Sequence, residues 1–333
     1  MLKMRAISKL FLAGMGAAIL ATTFSAGAIA QDAENYPTKP IKIIVGFSAG
    51  GTTDAVPRLL AQPMSKILGQ PIIVENRPGA GGAIAIDAVA KADPDGYTLL
   101  AGGTGLAVLP HTTANMAFNP VTDLEHITMV GEGDQWFSVP TAFPAQNYDE
   151  FVAYVKARPG EVLYGGAGAG SNMHLFIEYF KLLAGLDMPA VQYKGGGAIR
   201  LDLIANRVQT SLSSLPTIQG FIEDGKLRPI LLVGKERDPK YPDVPTVGEK
   251  GLKELEVASN WFSLHAPKGT PKPIIDKIYA AFSEALKTEE VQEGLAGLSL
   301  RAVGSTPEEF TARINSDYET FGEIVEKAGI EKQ

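Results

Sequence analysis

Twice along this chain of 333 residues an apolar segment runs directly into a glycine-rich turn that opens a helix, and this unit restricts the fold more than any other feature. The first copy is Ile41-Lys42-Ile43-Ile44-Val45, read as a buried strand, followed by Gly46-Phe47-Ser48-Ala49-Gly50-Gly51-Thr52-Thr53-Asp54. A helix then carries apolar positions Leu59, Leu60, Met64, Ile67 and Leu68 and closes at Gly69. Pro71 to Glu75 reads as a second strand, Pro78-Gly79-Ala80-Gly81-Gly82 as another glycine turn, and Ile84 to Lys91 as a second helix. After the turn Asp93-Pro94-Asp95-Gly96 comes a third strand, Tyr97 to Ala101. Strand, helix, strand, helix, strand in short units predicts an α/β fold with parallel pairing.

The pattern then restarts. Phe151 to Ala157 reads as helix and Val162 to Tyr164 as strand. A second glycine turn follows, Gly165-Gly166-Ala167-Gly168-Ala169-Gly170-Ser171-Asn172, and then a helix through Leu175, Phe176, Tyr179, Phe180 and Leu183. Further strands are expected at Pro189–Tyr193, Gln209–Leu212 and Arg228–Val233, with helices near Ala198–Ala205 and Ile218–Asp224. Pro273–Lys287 and Pro307–Ala328 close the chain as amphipathic helices. No low-complexity linker separates the halves, and lobes joined without one are crossed by strands and can hinge. Trp136 and Trp261 fall in the crossing segments, where core packing is the favoured role.

Residues 1–30 read as a secretory signal: Lys3, Arg5 and Lys9, an apolar stretch Leu10–Leu20, and Ala28-Ile29-Ala30 before an expected cleavage. No other segment approaches the ~20 apolar residues that a membrane helix requires. The sequence contains no cysteine, which excludes disulfides, thiol catalysis and cysteine-ligated zinc. The net charge is −7, and loss of Lys3, Arg5 and Lys9 with no accompanying acid takes it to −10. An acidic chain without a basic run is a poor nucleic-acid binder, so no nucleic-acid partner is expected.

The glycine turns suit a small anion. Such a turn frees backbone N–H groups to converge, the following helix adds about half a positive charge, and the missing Cβ atoms let a ligand approach. Neither turn contains Lys or Arg, so the anion is expected to rest on amides and on the Thr52, Thr53 and Ser171 hydroxyls, with Asp54 and Asn172 beside them as capping residues. Lys194 and Arg200 are the nearest cations to the Tyr193–Gly197 turn, and most such charges are simply solvated. Three sharper motifs compete. Gly46-Phe47-Ser48-Ala49-Gly50 fits the G-x-S-x-G elbow of a serine hydrolase, with Ser48 as nucleophile, yet no earlier strand supplies an oxyanion loop and His111, His126, His174 and His265 lack triad context. A P-loop fails because Thr52 stands where the lysine belongs, and the second turn does not fit a dinucleotide fingerprint. Scattered single histidines give no metal spacing, so neither metal nor cofactor is expected.

At this point the chain resembles the Bug family, the periplasmic substrate-binding proteins of tripartite tricarboxylate transporters. The likeness rests on Tyr36-Pro37-Thr38-Lys39-Pro40-Ile41, on Phe47 to Asp54, on Val74-Glu75-Asn76-Arg77-Pro78-Gly79-Ala80-Gly81-Gly82 and on Pro94 to Leu100. It extends to Tyr193-Lys194-Gly195, Asp243-Val244-Pro245-Thr246 and Ala266-Pro267-Lys268-Gly269-Thr270-Pro271. The resemblance implies a two-lobed flytrap with a mostly parallel sheet in each lobe and a cleft between them. Lobe 1 is expected at 31–133 plus 258–333 and lobe 2 at 134–257. It implies a monomeric, periplasmic, non-enzymatic protein that captures a carboxylate or dicarboxylate and delivers it to membrane permease subunits; a secreted hydrolase and a periplasmic sensor are the alternatives. Carried over by position, the ligand-binding residues are Phe47, Ala49, Gly50, Gly51, Thr52, Thr53 and Asp54, and Ala167, Gly168, Gly170, Ser171, Asn172 and His174, with Tyr193 nearby. Ser213 and Ser214 stand where the family often has an Asp-Asn pair; without that aspartate an ammonium-bearing ligand is disfavoured.

Overall fold

The computed structural model describes residues 35–332; the expected signal, 1–30, lies outside the described residues. In chain order the strands are β1 (Ile41–Val45), β2 (Ile72–Asn76), β3 (Thr98–Gly103), β4 (Leu124–Gly133), β5 (Gln135–Pro140) and β6 (Tyr164–Gly166). They continue with β7 (Ala190–Gln192), β8 (Thr210–Ser213), β9 (Leu227–Val233), β10 (Asn260–Pro267) and β11 (Arg301–Ala302). The helices of eight or more residues are α1 (Thr52–Leu68), α2 (Ala83–Ala90), α3 (Gly105–Thr112), α4 (Tyr148–Lys156) and α5 (Asn172–Ala184). After them come α6 (Gly196–Ile204), α7 (Leu215–Glu223), α8 (Lys272–Leu286), α9 (Glu289–Gly297) and α10 (Pro307–Ala328).

Two sheets result, one per lobe. The first has the order β11-β4-β10-β3-β1-β2 and the second β7-β6-β8-β5-β9. The predicted parallel core is present: β1 pairs in parallel with β2 on one side and β3 on the other, from Ile41 opposite Ile72 to Val45 opposite Ala101. In the second sheet β6 sits in the same way between β7 and β8. The sheets as wholes are mixed rather than mostly parallel, because β10 is antiparallel to β3 and β4, and β5 to β8 and β9. The crossing strands cause this: β4 carries the chain out of the first sheet and β10 brings it back alongside.

Alternation along β1 separates two cores. Ile41, Ile43 and Val45 pack with Leu60 and Met64 of α1 and Ile278 and Phe282 of α8, while Ile44 faces Ala85, Val89 and Leu106. In β5 Trp136 faces a third cluster with Leu203, Val208 and Ile218, whereas Phe137 and Val139 join the cluster of Ile44. That cluster therefore runs through both lobes. It also takes Phe310, Ile314, Phe321 and Ile324 from α10, which packs on α3 and α5. A capping box between Thr306 and Glu309, with proline at N1, fixes where α10 begins. Both tryptophans are core residues: Trp136 stands edge-on to Tyr241, and the Trp261 indole donates to Asp317 Oδ2 at 2.6 Å. Among the described residues no helix is long and apolar enough to cross a membrane.

Candidate ligand-binding cleft

The parallel strands of both sheets end at one place. β1 and β6 are each the strand at which successive connections switch direction across the sheet, and the crevice outside the carboxyl ends at such a point is where open α/β sheets bind ligands. The cavity there measures about 110 Å³. One water needs roughly 10–15 Å³ by that measure, so there is room for a small organic acid.

Six of the connections deliver a helix N-terminus to this spot. Thr52 and Thr53 line the cavity from α1, Gly82 from the cap of α2, Gly105 from α3, Asn172 from α5, Gly196 from α6 and Ser214 from the cap of α7. First-turn N–H groups have no acceptor inside their helix, so six partial positive ends converge. Among the described residues Arg200 is the single charged residue in the wall. Its guanidinium donates to the Thr217 carbonyl at 3.0 Å and, across the cleft, to the Gly50 carbonyl at 3.1 Å. Burial lowers its pKa, and no carboxylate pairs with it among the described residues. Arg200 is thus a half-buried cation without a counter-ion, where the sequence alone suggested a solvated bystander.

The lobes touch around the cavity. Thr52 Oγ1 and Ser214 Oγ share a hydrogen bond of 2.6 Å, the Ser48 N–H and hydroxyl approach the Lys194 carbonyl at 3.4 and 3.3 Å, and Asn172 Nδ2 donates to Asn260 Oδ1 at 3.2 Å. Glycines make the approach possible. A Cβ on Gly168, which has φ +113°, would stand 3.0 Å from the Gly81 nitrogen, and one on Gly197 would stand 3.1 Å from the Ala49 carbonyl.

Of the residues singled out by sequence, Phe47, Gly51, Thr52, Thr53, Ala167 and Asn172 line the cavity. The others form its frame. Ala49 and Gly50 present carbonyls toward lobe 2, as above. Asp54 is buried; burial pushes its pKa up, but hydrogen bonds from Arg58, Asn76 and the Gly50 N–H outweigh that and leave it below the ordinary value. Those bonds (2.9, 2.8 and 3.1 Å) make Asp54 a brace for the first glycine turn. The Gly170 carbonyl accepts from Thr112 Oγ1 at 2.7 Å. The Tyr193 hydroxyl points away to Asp202 at 2.7 Å.

Ser171 and Asn172 exchange the roles expected of them. Ser171 is the N-cap of α5, its Oγ accepting from the His174 N–H at 3.3 Å, and Asn172 turns into the cleft. The reason is positional: Ser171 has extended backbone at the cap, from which only its own oxygen reaches the third N–H. His174 Nδ1 accepts from the Gly170 N–H at 3.3 Å, so the ring secures the turn. The other histidines are also engaged: His111 with the Tyr318 carbonyl, and His126 with His265, whose Nε2 meets Ser263 Oγ at 2.6 Å. None pairs with Ser48. Sequence reasoning passed over Gly102-Gly103-Thr104-Gly105, a further glycine turn after an apolar strand, although it carries the signature that flagged the two facing turns. It also passed over Gln135, Asn260 and the apolar wall of α2, α3 and α5.

Comparison with known proteins agrees with this architecture. Residues 56–330 match the model of the tripartite tricarboxylate transporter family receptor. The chain is similar to Protein BugT of Bordetella pertussis, 35% identical over 303 residues, covering 89% of this chain and 91% of BugT. The structure of the periplasmic binding protein BugD superposes with a TM-score of 0.85 at 33% identity, covering 90% of this chain and all of BugD. MatC from Rhodopseudomonas palustris, with bound malate, gives 0.82 at 30% identity, covering 87% of this chain and all of MatC. Two α/β lobes flank a cleft of helix N-termini, and the matches over most of the chain place this protein in the tripartite tricarboxylate transporter receptor family.

Proposed function

We propose that this protein is a periplasmic receptor that captures a small carboxylic acid between its lobes and presents it, closed, to the permease subunits of a tripartite transporter. The carrying observation is Arg200: a guanidinium without a counter-ion, in the wall of an otherwise uncharged cavity ringed by helix N-termini. An ionised carboxylate supplies the missing charge and accepts from the remaining guanidinium donors and the first-turn amides of α1. Malate bound to a family relative supports the same ligand class. The residues of 31–133 plus 258–333 move as one body against 134–257, hinging where β4 passes into β5 and where the chain returns to β10. Closure forms the Arg200–Gly50 and Thr52–Ser214 contacts, which belong to the liganded state. Export through the segment 1–30 puts the receptor in the periplasm as a monomer.

Mass spectrometry of small molecules released by denaturing freshly purified protein tests this reading. A carboxylic acid at close to one equivalent is expected; a bound cation or neutral compound instead would refute it. Ser48 lies at the cavity without a histidine partner, so Ser48→Ala should leave any trace esterase activity of the preparation unchanged.

A further inference from the structure

We infer that the acid selected by this cleft carries one carboxylate, no ammonium group and an apolar body, an inference that rests on the carboxylate-receptor reading above. The cavity wall has two chemically different poles. At one, Thr52, Ser214, Thr217 and Arg200 are tied to one another by hydrogen bonds, beside the N-termini of α1, α6 and α7. At the other, Ile86, Leu106, Leu109, Phe176 and Leu212 belong to the single apolar cluster that runs through both lobes, and Met173 packs against it. Among the described residues Arg200 is the only ionisable side chain in the wall, and it stands at the first pole.

Three consequences follow for a bound molecule. Its carboxylate goes to the pole that holds the cation. Its body lies on the apolar pole, where burial of carbon is favourable and a second carboxylate would meet only the helix N-termini of α2, α3 and α5, with no cation to replace its water. An ammonium group finds no acid among the described residues of the wall and faces helix N-termini, whose field repels it. The neutral amides of Gln135, Asn172 and Asn260 leave room for an uncharged hydroxyl or keto group on the body.

The probes are acids that differ by one group: hexanoate, adipate and norleucine, and in an aromatic frame 3-phenylpropanoate and phenylalanine. Calorimetry on the full mature protein should show the better of the two monoacids binding at least about tenfold tighter than adipate and than both amino acids. Adipate binding as tightly as both monoacids would overturn the single-carboxylate assignment and leave the carboxylate receptor standing. Norleucine or phenylalanine matching its parent acid would overturn the exclusion of ammonium. Failure of all five acids at millimolar concentration would overturn both this inference and the receptor reading. A second arm moves the charge: Met173→Arg places a cation at the apolar pole and should shift the hexanoate-to-adipate affinity ratio at least about tenfold toward adipate. A folded Met173→Arg protein with an unchanged ratio would show that the body does not lie where we place it.

Discussion

Replacing Arg200 by alanine removes the one charge in the cavity wall, and its consequences can be worked out from the contacts. The side chain makes two hydrogen bonds to carbonyls, Thr217 at 3.0 Å within its own lobe and Gly50 at 3.1 Å in the other. In the open, unliganded protein both carbonyls are free to bind water, so the melting temperature should change little. In the closed complex the carboxylate loses a charge-assisted partner worth about 1.5–3 kcal/mol. That corresponds to roughly a 10- to 150-fold rise in Kd. The lost bond to Gly50, which the proposed closure forms, adds to this. Arg200→Lys keeps the charge but not the fork, so it cannot hold both carbonyls and the ligand together; an intermediate loss is expected. The assay is calorimetric titration of wild type and both variants with the tightest-binding acid, repeated at low and high salt. A half-buried contact resists screening, so the ratio of affinities should persist as salt rises. A Kd for Arg200→Ala within twofold of wild type would show that the anion is held by backbone amides alone.

Other perturbations separate frame from contact. Ser171→Ala removes the cap of α5 and should lower apo stability by about 1 kcal/mol with affinity nearly unchanged; the reverse pattern would return Ser171 to the ligand. Gly197→Val adds bulk where a Cβ already meets the Ala49 carbonyl across the cleft, so it should weaken binding without destabilising the open protein, and scattering should show less compaction with ligand than in wild type. Burial lowers the pKa of all four histidines, most strongly His265, where the His126 ring adds to the effect. The unfolded chain therefore binds more protons, and stability, complete above the ordinary histidine value of about 6.5, falls as pH drops through it, by up to about 1.4 kcal/mol per unit for each histidine. Asp134 and Asp317, raised by burial, act in the opposite sense but number two against four. Melting temperatures from about pH 7.5 to 5 check this, and a flat profile would contradict it.

Legibility in the sequence followed the range of the interactions. β1, α1, β2, α2 and β3 can be read because each is set by its own periodicity and the glycine turn beside it. Their parallel pairing follows from the short connections. β4 and β10 resist such reading. Glu125, His126, Ser263 and His265 interrupt their apolar runs, and the histidines are tolerated inside only because His126 meets His265 and Ser263 caps the pair, partners about 139 positions apart in sequence. The antiparallel pairing of β4 with β10 is illegible for that reason; in the second sheet β8 and β9 can be read as strands, but β5, which pairs antiparallel with both, cannot. At the cleft, Thr52 and Thr53 were legible because their helix and turn are local. Arg200 was not, since its meaning depends on a carbonyl in the other lobe, 150 positions away. Ser171 and Asn172 were both flagged but transposed, because composition cannot say which of two adjacent polar residues takes the cap.

The central claim, a carboxylate clamped between Arg200 and the α1 N-terminus, is tested most directly by a crystal structure of the protein with its retained ligand. The account predicts one acid in the cavity, with a carboxylate oxygen within about 3 Å of the Arg200 guanidinium and another facing the amides of Thr52 and Thr53. A ligand bound outside this cavity, or one whose carboxylate points to the apolar wall of Leu109 and Phe176 and leaves Arg200 on its two carbonyls alone, would contradict it.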